Sequence, residues 1–217
     1  QWCIDNDFFE LTSVWVPTRD PQGVLKLRWC VREFKFASRR DDLFTPASTA
    51  STERTIDIVA TKRRLKRVIV DCKNAYLHAD EDEKVFAKPP RVWLERWIAE
   101  GGSPTVVWVL RKQIYGRRKA SQAFNDYLAV VFLGLGLIRY EALPQFWKHP
   151  QRKMIADFHQ DDGHATGKDE DLEWFIDELK EHLMIKSSGI IGEGKSYMYL
   201  KSWRTVLRDG TVLQMNE

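Results

Sequence analysis

Sulfur is scarce in this sequence. It has three cysteines, Cys3, Cys30 and Cys72, and no C-x-x-C pair. An odd number without metal-type spacing argues against a disulfide framework or a zinc ribbon and for a reducing compartment. Long apolar runs are missing too. No stretch approaches the roughly 18–20 residues that a membrane helix needs, and no signal-like start is visible, so no membrane partner is expected. An excess of one charge is also lacking, because 34 Lys and Arg stand against 31 Asp and Glu, a formal net charge of +3. Attraction to a polyanion must therefore come from clustering rather than from the total. There is no internal repeat or low-complexity tract. The first residue is Gln1 rather than Met, and the chain is expected to be a fragment of a longer one.

The 217 residues suffice for one core, or for one domain with a lobe inserted in it. With 43% hydrophobic and 30% charged residues the composition is that of a globular protein. Two basic clusters stand out: Lys62, Arg63, Arg64, Lys66 and Arg67, and then Arg111, Lys112, Arg117, Arg118 and Lys119.

Residues 24–36 alternate as a strand or hairpin does. A helix is expected from about Thr52 to Leu65, with Ile56, Val59 and Ala60 inward and the first basic cluster at its C-terminal end, where cations suit the helix dipole. Val68, Ile69 and Val70 form a buried β-branched run that ends on Asp71. Pro89-Pro90 terminates whatever follows the acidic stretch 80–83, and residues 91–102 give no clear signal. Val106–Leu110 reads as a strand. Ala123, Phe124, Tyr127, Leu128, Val131 and Leu135 fall at helical spacing over about four turns. A second helix starts at Asp169 and carries Leu172, Phe175, Ile176, Leu179 and Leu183 on one stripe. Asp209-Gly210 is the strongest short hairpin signal, between strands at 197–207 and 211–214. This order suggests an α+β fold with helices on one face of the sheet and the other face free.

Asp71 ends one expected strand, and Asp161 and Asp162 lie at the turn of an expected hairpin. If those strands are neighbours, three carboxylates meet at one sheet edge, which is unfavourable unless a cation neutralises them. Hard oxygen donors with few protein ligands suit Mg²⁺. Two such ions about 3.5–4 Å apart serve phosphoryl transfer. A polar turn accounts equally well for Asp-Asp-Gly taken alone. The His159 and His164 pair also permits an H-x-D-D-x-H metal-hydrolase site, but only if the turn folds the two rings together.

Four blocks in order, IVDCKNAYLHA (69–79), PP (89–90), LRKQIYGRRKASQAF (110–124) and FHQDDGHATG (158–167), resemble the reverse transcriptase of copia-type LTR retrotransposons. The resemblance runs from about Arg28 to Gln214. It implies an α+β right-hand polymerase with fingers and palm, the palm an antiparallel sheet with helices packed on one face. The activity implied is RNA-directed DNA synthesis from dNTPs on a primed RNA or DNA template. It implies fingers over 1–66, the first catalytic palm strand at 67–80, a fingers insertion at 81–115, and palm over 116–217 with the catalytic hairpin and a terminal primer-grip-like hairpin. Thumb and ribonuclease H segments are not found in the sequence. The parent chain would be a Pol polyprotein with integrase and ribonuclease H, located in a cytoplasmic retrotransposon particle with access to the nucleus.

Residue by residue, Asp71, Asp161 and Asp162 match the family's metal-binding and catalytic carboxylates, holding two Mg²⁺ ions, with Mn²⁺ as the alternative. Tyr76 matches the aromatic residue beneath the incoming sugar. Tyr115 and Gly116 match the dipeptide beside the nucleotide, and Arg32 and Lys35 are candidate triphosphate contacts. Lys62, Arg63, Arg64, Lys66, Arg67, Arg117, Arg118 and Lys119 are candidates for template and primer phosphates. Lys186 falls where the family has M-K-D-L-G. Some positions depart from the pattern: His159 and Gln160 stand for Tyr and Val, Asp157 for an apolar residue, Lys119 for Gln, Ser121 for Pro and Lys201 for Gly. Gln160 would need hydrogen-bond partners beneath the turn, and a buried Asp157 would need a partner or a raised pKa. These departures favour the alternative of an inactive, diverged remnant that only binds nucleic acid.

Overall fold

The computed structural model describes residues 2–19, 23–33, 43 and 45–216. In chain order the elements are α1 (Trp2–Asp5), β1 (Phe9–Arg19), β2 (Leu25–Arg32), α2 (Ala50–Arg63), β3 (Lys66–Cys72), a 3-10 turn (Ala75–His78), β4 (Val85–Ala87), α3 (Arg91–Ala99), β5 (Trp108–Val109) and α4 (Ala120–Gly134). There follow β6 (Ile138–Tyr140), β7 (Leu143–His149), β8 (Met154–His159), β9 (Asp162–Gly167), α5 (Asp169–His182), β10 (Ile185–Ser187), β11 (Ser196–Tyr199), β12 (Ser202–Val206) and β13 (Val212–Asn216). The fold is α+β. No helix among the described residues is long and apolar enough to cross a membrane. The chain forms two compact units, 1–44 with 76–124, and 45–75 with 125–217.

The first unit holds a four-stranded sheet in the order β2-β1-β4-β5. β1 pairs antiparallel with β2 and parallel with β4. Leu11, Val31, Val85 and Ala87 form its core, with Trp29, Leu110 and Ile114 packed against them. Pro90 caps α3, consistent with Pro ending the preceding segment, but α3 buries none of its residues.

The second unit is built on a six-stranded antiparallel sheet, β10-β3-β9-β8-β7-β6, with a separate three-stranded sheet, β11-β12-β13. Alternation along β8 and β9 gives the large sheet two unlike faces. Met154, Ala156, Phe158, Gly163, Ala165 and Gly167 face α5, whose buried stripe is Leu172, Phe175, Ile176 and Leu179. Phe158 and Phe175 meet Phe132 of α4 at 4.9 and 5.7 Å between ring centres. Each such side chain stabilises the fold by roughly 1.5–3 kcal/mol.

The opposite face was expected to be free and is not. There α2, begun by a Thr49 and Thr52 capping box, covers Asp157, His164 and Arg67, together with the three-stranded sheet. Helices therefore pack on both faces. The cover is polar because β8 and β9 present Asp157 and His164 there, so each needs hydrogen-bonding neighbours that only another layer can bring.

Candidate functional site

β3 delivers Asp71 at its tip by a register that leaves little choice. Val68 and Val70 point toward the α5 side and are fully buried, which turns Arg67, Ile69 and Asp71 to the other face. β8 and β9 are joined by the two-residue turn Gln160-Asp161, and Gln160 takes the left-handed φ of +56° that short hairpins favour. Gln160 is exposed at the tip rather than packed beneath the turn, so it needs no buried partner. The Cys72 N–H donates to the Asp161 carbonyl at 2.8 Å and fastens the turn to the end of β3.

Asp71 lies directly across from Asp162 on β9 and from Lys186 on β10, while Asp162 lies across from His159. Antiparallel partners share a face, so Lys186, Asp71, Asp162 and His159 form one row across four strands. Gly163 belongs to strand β9 rather than to the turn. A side chain there would sit 2.4 Å from the Phe158 ring, so packing, not turn chemistry, requires glycine.

The carboxylates act on one another. Burial pushes Asp162 up to about 6, and the charges of Asp161 and Asp71 push the same way. Burial, and then the same three carboxylates, raise the Cys72 thiol to about 12. Among the described residues no three His, Cys, Asp or Glu side chains already form a metal cage. An ion at this edge therefore needs water and substrate oxygens to complete its shell, which is how Mg²⁺ is usually held. The donor set, hard oxygens in mutual repulsion, suits that ion.

Behind this edge lies a buried ionic layer. Arg67 donates to Asp57 at 2.8 Å, and Arg204 donates to Asp57 at 3.0 Å and to Glu53 at 2.5 Å. Tyr197 adds a hydroxyl bond to Asp57 at 2.8 Å. His164 is enclosed by this layer, and burial lowers its pKa to about 3, so the ring is neutral. His159 instead accepts from the Ser48 N–H at 3.1 Å. The turn brings both histidines to one face, but His164 is committed to the interior, and the H-x-D-D-x-H site does not form. Asp157 is fully buried and accepts from Thr52 at 3.3 Å. Burial raises its pKa to about 6, so it has both a partner and a shifted pKa.

Two of the basic candidates turn out to be structural. Arg67 is 1% exposed and committed to Asp57. Arg117, 5% exposed, holds Glu33, Glu81 and Glu83 at 2.7–2.8 Å in the first unit. Neither can reach a phosphate without breaking a desolvated pair, so both nucleic-acid assignments are withdrawn. Lys119 is paired with Asp82, and the Arg118 N–H donates to Glu33 at 2.9 Å. Lys62, Arg63 and Arg64 are exposed and Lys66 is half-buried.

In the first unit the Tyr76 and Tyr115 rings are 4.9 Å apart, and the Tyr76 hydroxyl is 3.1 Å from Ser121 Oγ. Gly116 has φ +93°, and a Cβ there would lie 1.7 Å from the Val31 carbonyl oxygen. The close approach that demands glycine is thus made by the chain itself. Arg32 is exposed at the end of β2, and Lys35 lies outside the described residues. Sequence reasoning missed Arg28, whose guanidinium sits 4.0 Å over the Tyr115 ring. Its signal was the alternation Lys26, Arg28, Cys30, Arg32 along one strand face.

No protein family profile and no curated protein matches the chain. Thirty-five chains of solved structures do. One is apo telomerase from Candida tropicalis truncated from its C-terminal domain, with a TM-score of 0.54 and 12% identity over 96% of this chain. The alignment takes in 55% of that protein, so the present chain spans about half its length. At this identity the likeness is one of fold.

Proposed function

We propose that the chain is the fingers and palm of a copia-type RNA-directed DNA polymerase, the first compact unit being fingers and the second palm. The observation that carries this reading is the Asp71–Asp162 pairing across β3 and β9, with Asp161 in the turn fastened to Cys72. The similarity of fold to a telomerase, a reverse-transcriptase-related polymerase, supports it. The family departures are accommodated without disturbing that register, since Gln160 is exposed and Asp157 is bonded to Thr52.

Asp71, Asp161 and Asp162 would hold the metal ions. When bound, two Mg²⁺ ions supply positive charge to the attacking 3′-oxygen and to the departing pyrophosphate. The chain's own contribution is positional. β3 and β9 fix the carboxylates on one face, and the Cys72 bond keeps the turn from swinging. Tyr76, held by Ser121 and the Tyr115 ring, forms a rigid wall suited to discriminating a sugar. Arg28 and Arg32, on one face of β2, are the cations for a triphosphate.

The test is primer extension on an RNA template with Mg²⁺, using the longer parent chain alongside this one. Incorporation that disappears in Asp161→Asn upholds the polymerase. Duplex binding without incorporation by the parent supports the inactive remnant instead.

A further inference from the structure

A groove on the α2-covered face of the large sheet, at its outer strands, lies apart from the carboxylate edge, and of its lining residues only Arg63 is among the phosphate candidates named above. Phe146 and Lys148 of β7 lie across from Asp157 and Ile155 of β8, so they share the face on which α2 packs. Thr55, Val59 and Arg63 follow one another at four-residue steps and line the groove from the helix side. Lys153 closes one end from the β7–β8 turn, where its φ is +54°. Tyr140, 42% exposed, lies edge-on to Phe146 with ring centres 5.6 Å apart. The groove measures about 660 Å³, within the range of ligand sites.

Its charge is one-sided. Arg63, Lys148 and Lys153 converge from three elements, no carboxylate lines the groove, and none of the three has an acidic partner among the described residues. In a chain with 34 cations against 31 acids, three cations without one acid select an anion. The exposed Tyr140 ring selects further, because a planar apolar platform among cations fits a stacked base joined to a phosphate better than it fits a free phosphate.

We propose that this groove binds single-stranded nucleic acid, with Arg63, Lys148 and Lys153 on its phosphates and Tyr140 beneath a base. The site is distinct from the carboxylate edge: β8 runs between the two turns and its six residues span roughly 20 Å. It does not depend on catalysis, and an inactive chain would bind equally well.

The test is fluorescence anisotropy of labelled oligouridylate with the 217-residue chain, over a range of salt concentrations. Replacing Arg63, Lys148 and Lys153 together by Gln should weaken binding and flatten the log K against log salt slope by about 2, at about 0.7 per phosphate contact. Tyr140→Ala should weaken binding about 5- to 150-fold with the slope unchanged, the range expected for one stacked base. Asp161→Asn should leave binding intact, which separates this site from the carboxylates. Should the triple variant lose its circular dichroism spectrum, Lys153→Gln alone, at the exposed turn, must flatten the slope by about 0.7. A wild-type slope in the triple variant or in a folded Lys153→Gln, full affinity in Tyr140→Ala, or equal binding of polyglutamate overturns the assignment.

Discussion

Asp57 and Asp162 belong to the same unit and look onto the same face of the same sheet, yet they live in opposite electrostatic worlds. Asp57 and Glu53 are matched by two buried guanidiniums, Arg67 and Arg204, and by the Tyr197 hydroxyl. Asp71 and Asp162 face each other across two strands with no cationic partner bonded to them among the described residues, and Asp162 is driven up to about 6 by burial and by its neighbours. The first arrangement balances its charge internally and holds α2 and the three-stranded sheet onto the strands. The second leaves negative charge unbalanced, which costs stability and is offset under the proposed function by a bound cation. Carboxylates on one face of one sheet thus differ in whether the chain itself supplies the counter-charge.

Four perturbations test this contrast. The largest effect is expected for Asp71→Asn or Asp161→Asn, which should cut incorporation by about a thousandfold or more while thermal stability holds or rises. A fall in melting temperature together with activity would place these residues in the structural class. Arg204→Met should do the reverse, lowering unfolding free energy in urea by about 3–5 kcal/mol because Asp57 and Glu53 lose a buried partner. Asp157 stands between the classes. The folded protein binds its proton more tightly than the unfolded chain does, so its contribution is fully present below about pH 4 and is lost as pH rises through about 6. A displacement from 3.8 to about 6 corresponds to roughly 3 kcal/mol. Asp157→Asn should therefore flatten stability against pH between about 4 and 6 and raise stability at pH 7, as followed by urea melts. The smallest effect belongs to the ion itself. Mg²⁺ held at about 1 mM Kd should stabilise by about 1.4 kcal/mol at 10 mM, and the Asp71, Asp161, Asp162 triple Asn variant should show no such shift.

Much of the chemical edge was legible because it depends on short-range pattern. A β-branched run ending on Asp71, two aspartates after an apolar stretch, and the helical stripe of α5 each follow from a local period. The hairpin at Asp209-Gly210 was equally plain. β1, β6, β7 and β10 left no clear trace; three of the four lie at sheet edges or carry mixed residues such as Lys148 and His149, so alternation is blurred. α3 gave no clear signal, and none of its residues is fully buried. Arg67 and Arg117 were taken for phosphate contacts because a run of cations does not reveal which member turns inward. Strand parity aims Arg67 at Asp57, and the acids that enclose Arg117 come from 84 and 34–36 residues earlier in the chain. Helix α2 on the second sheet face was invisible for a related reason: its partners Asp157 and His164 look like surface residues until something covers them.

The row that aligns Lys186, Asp71, Asp162 and His159 also fixes what heredity can tolerate here. Deleting Gly163 would exchange the two sheet faces from that point on, sending His164 toward the phenylalanines and emptying its place in the ionic layer. The Asp209-Gly210 bend is held in the same way, because the Gly210 carbonyl accepts from the Thr61 hydroxyl at 2.6 Å and from Arg67 at 3.3 Å. Sister sequences should accordingly carry no insertion or deletion within the six residues of β9, whatever substitutions they carry.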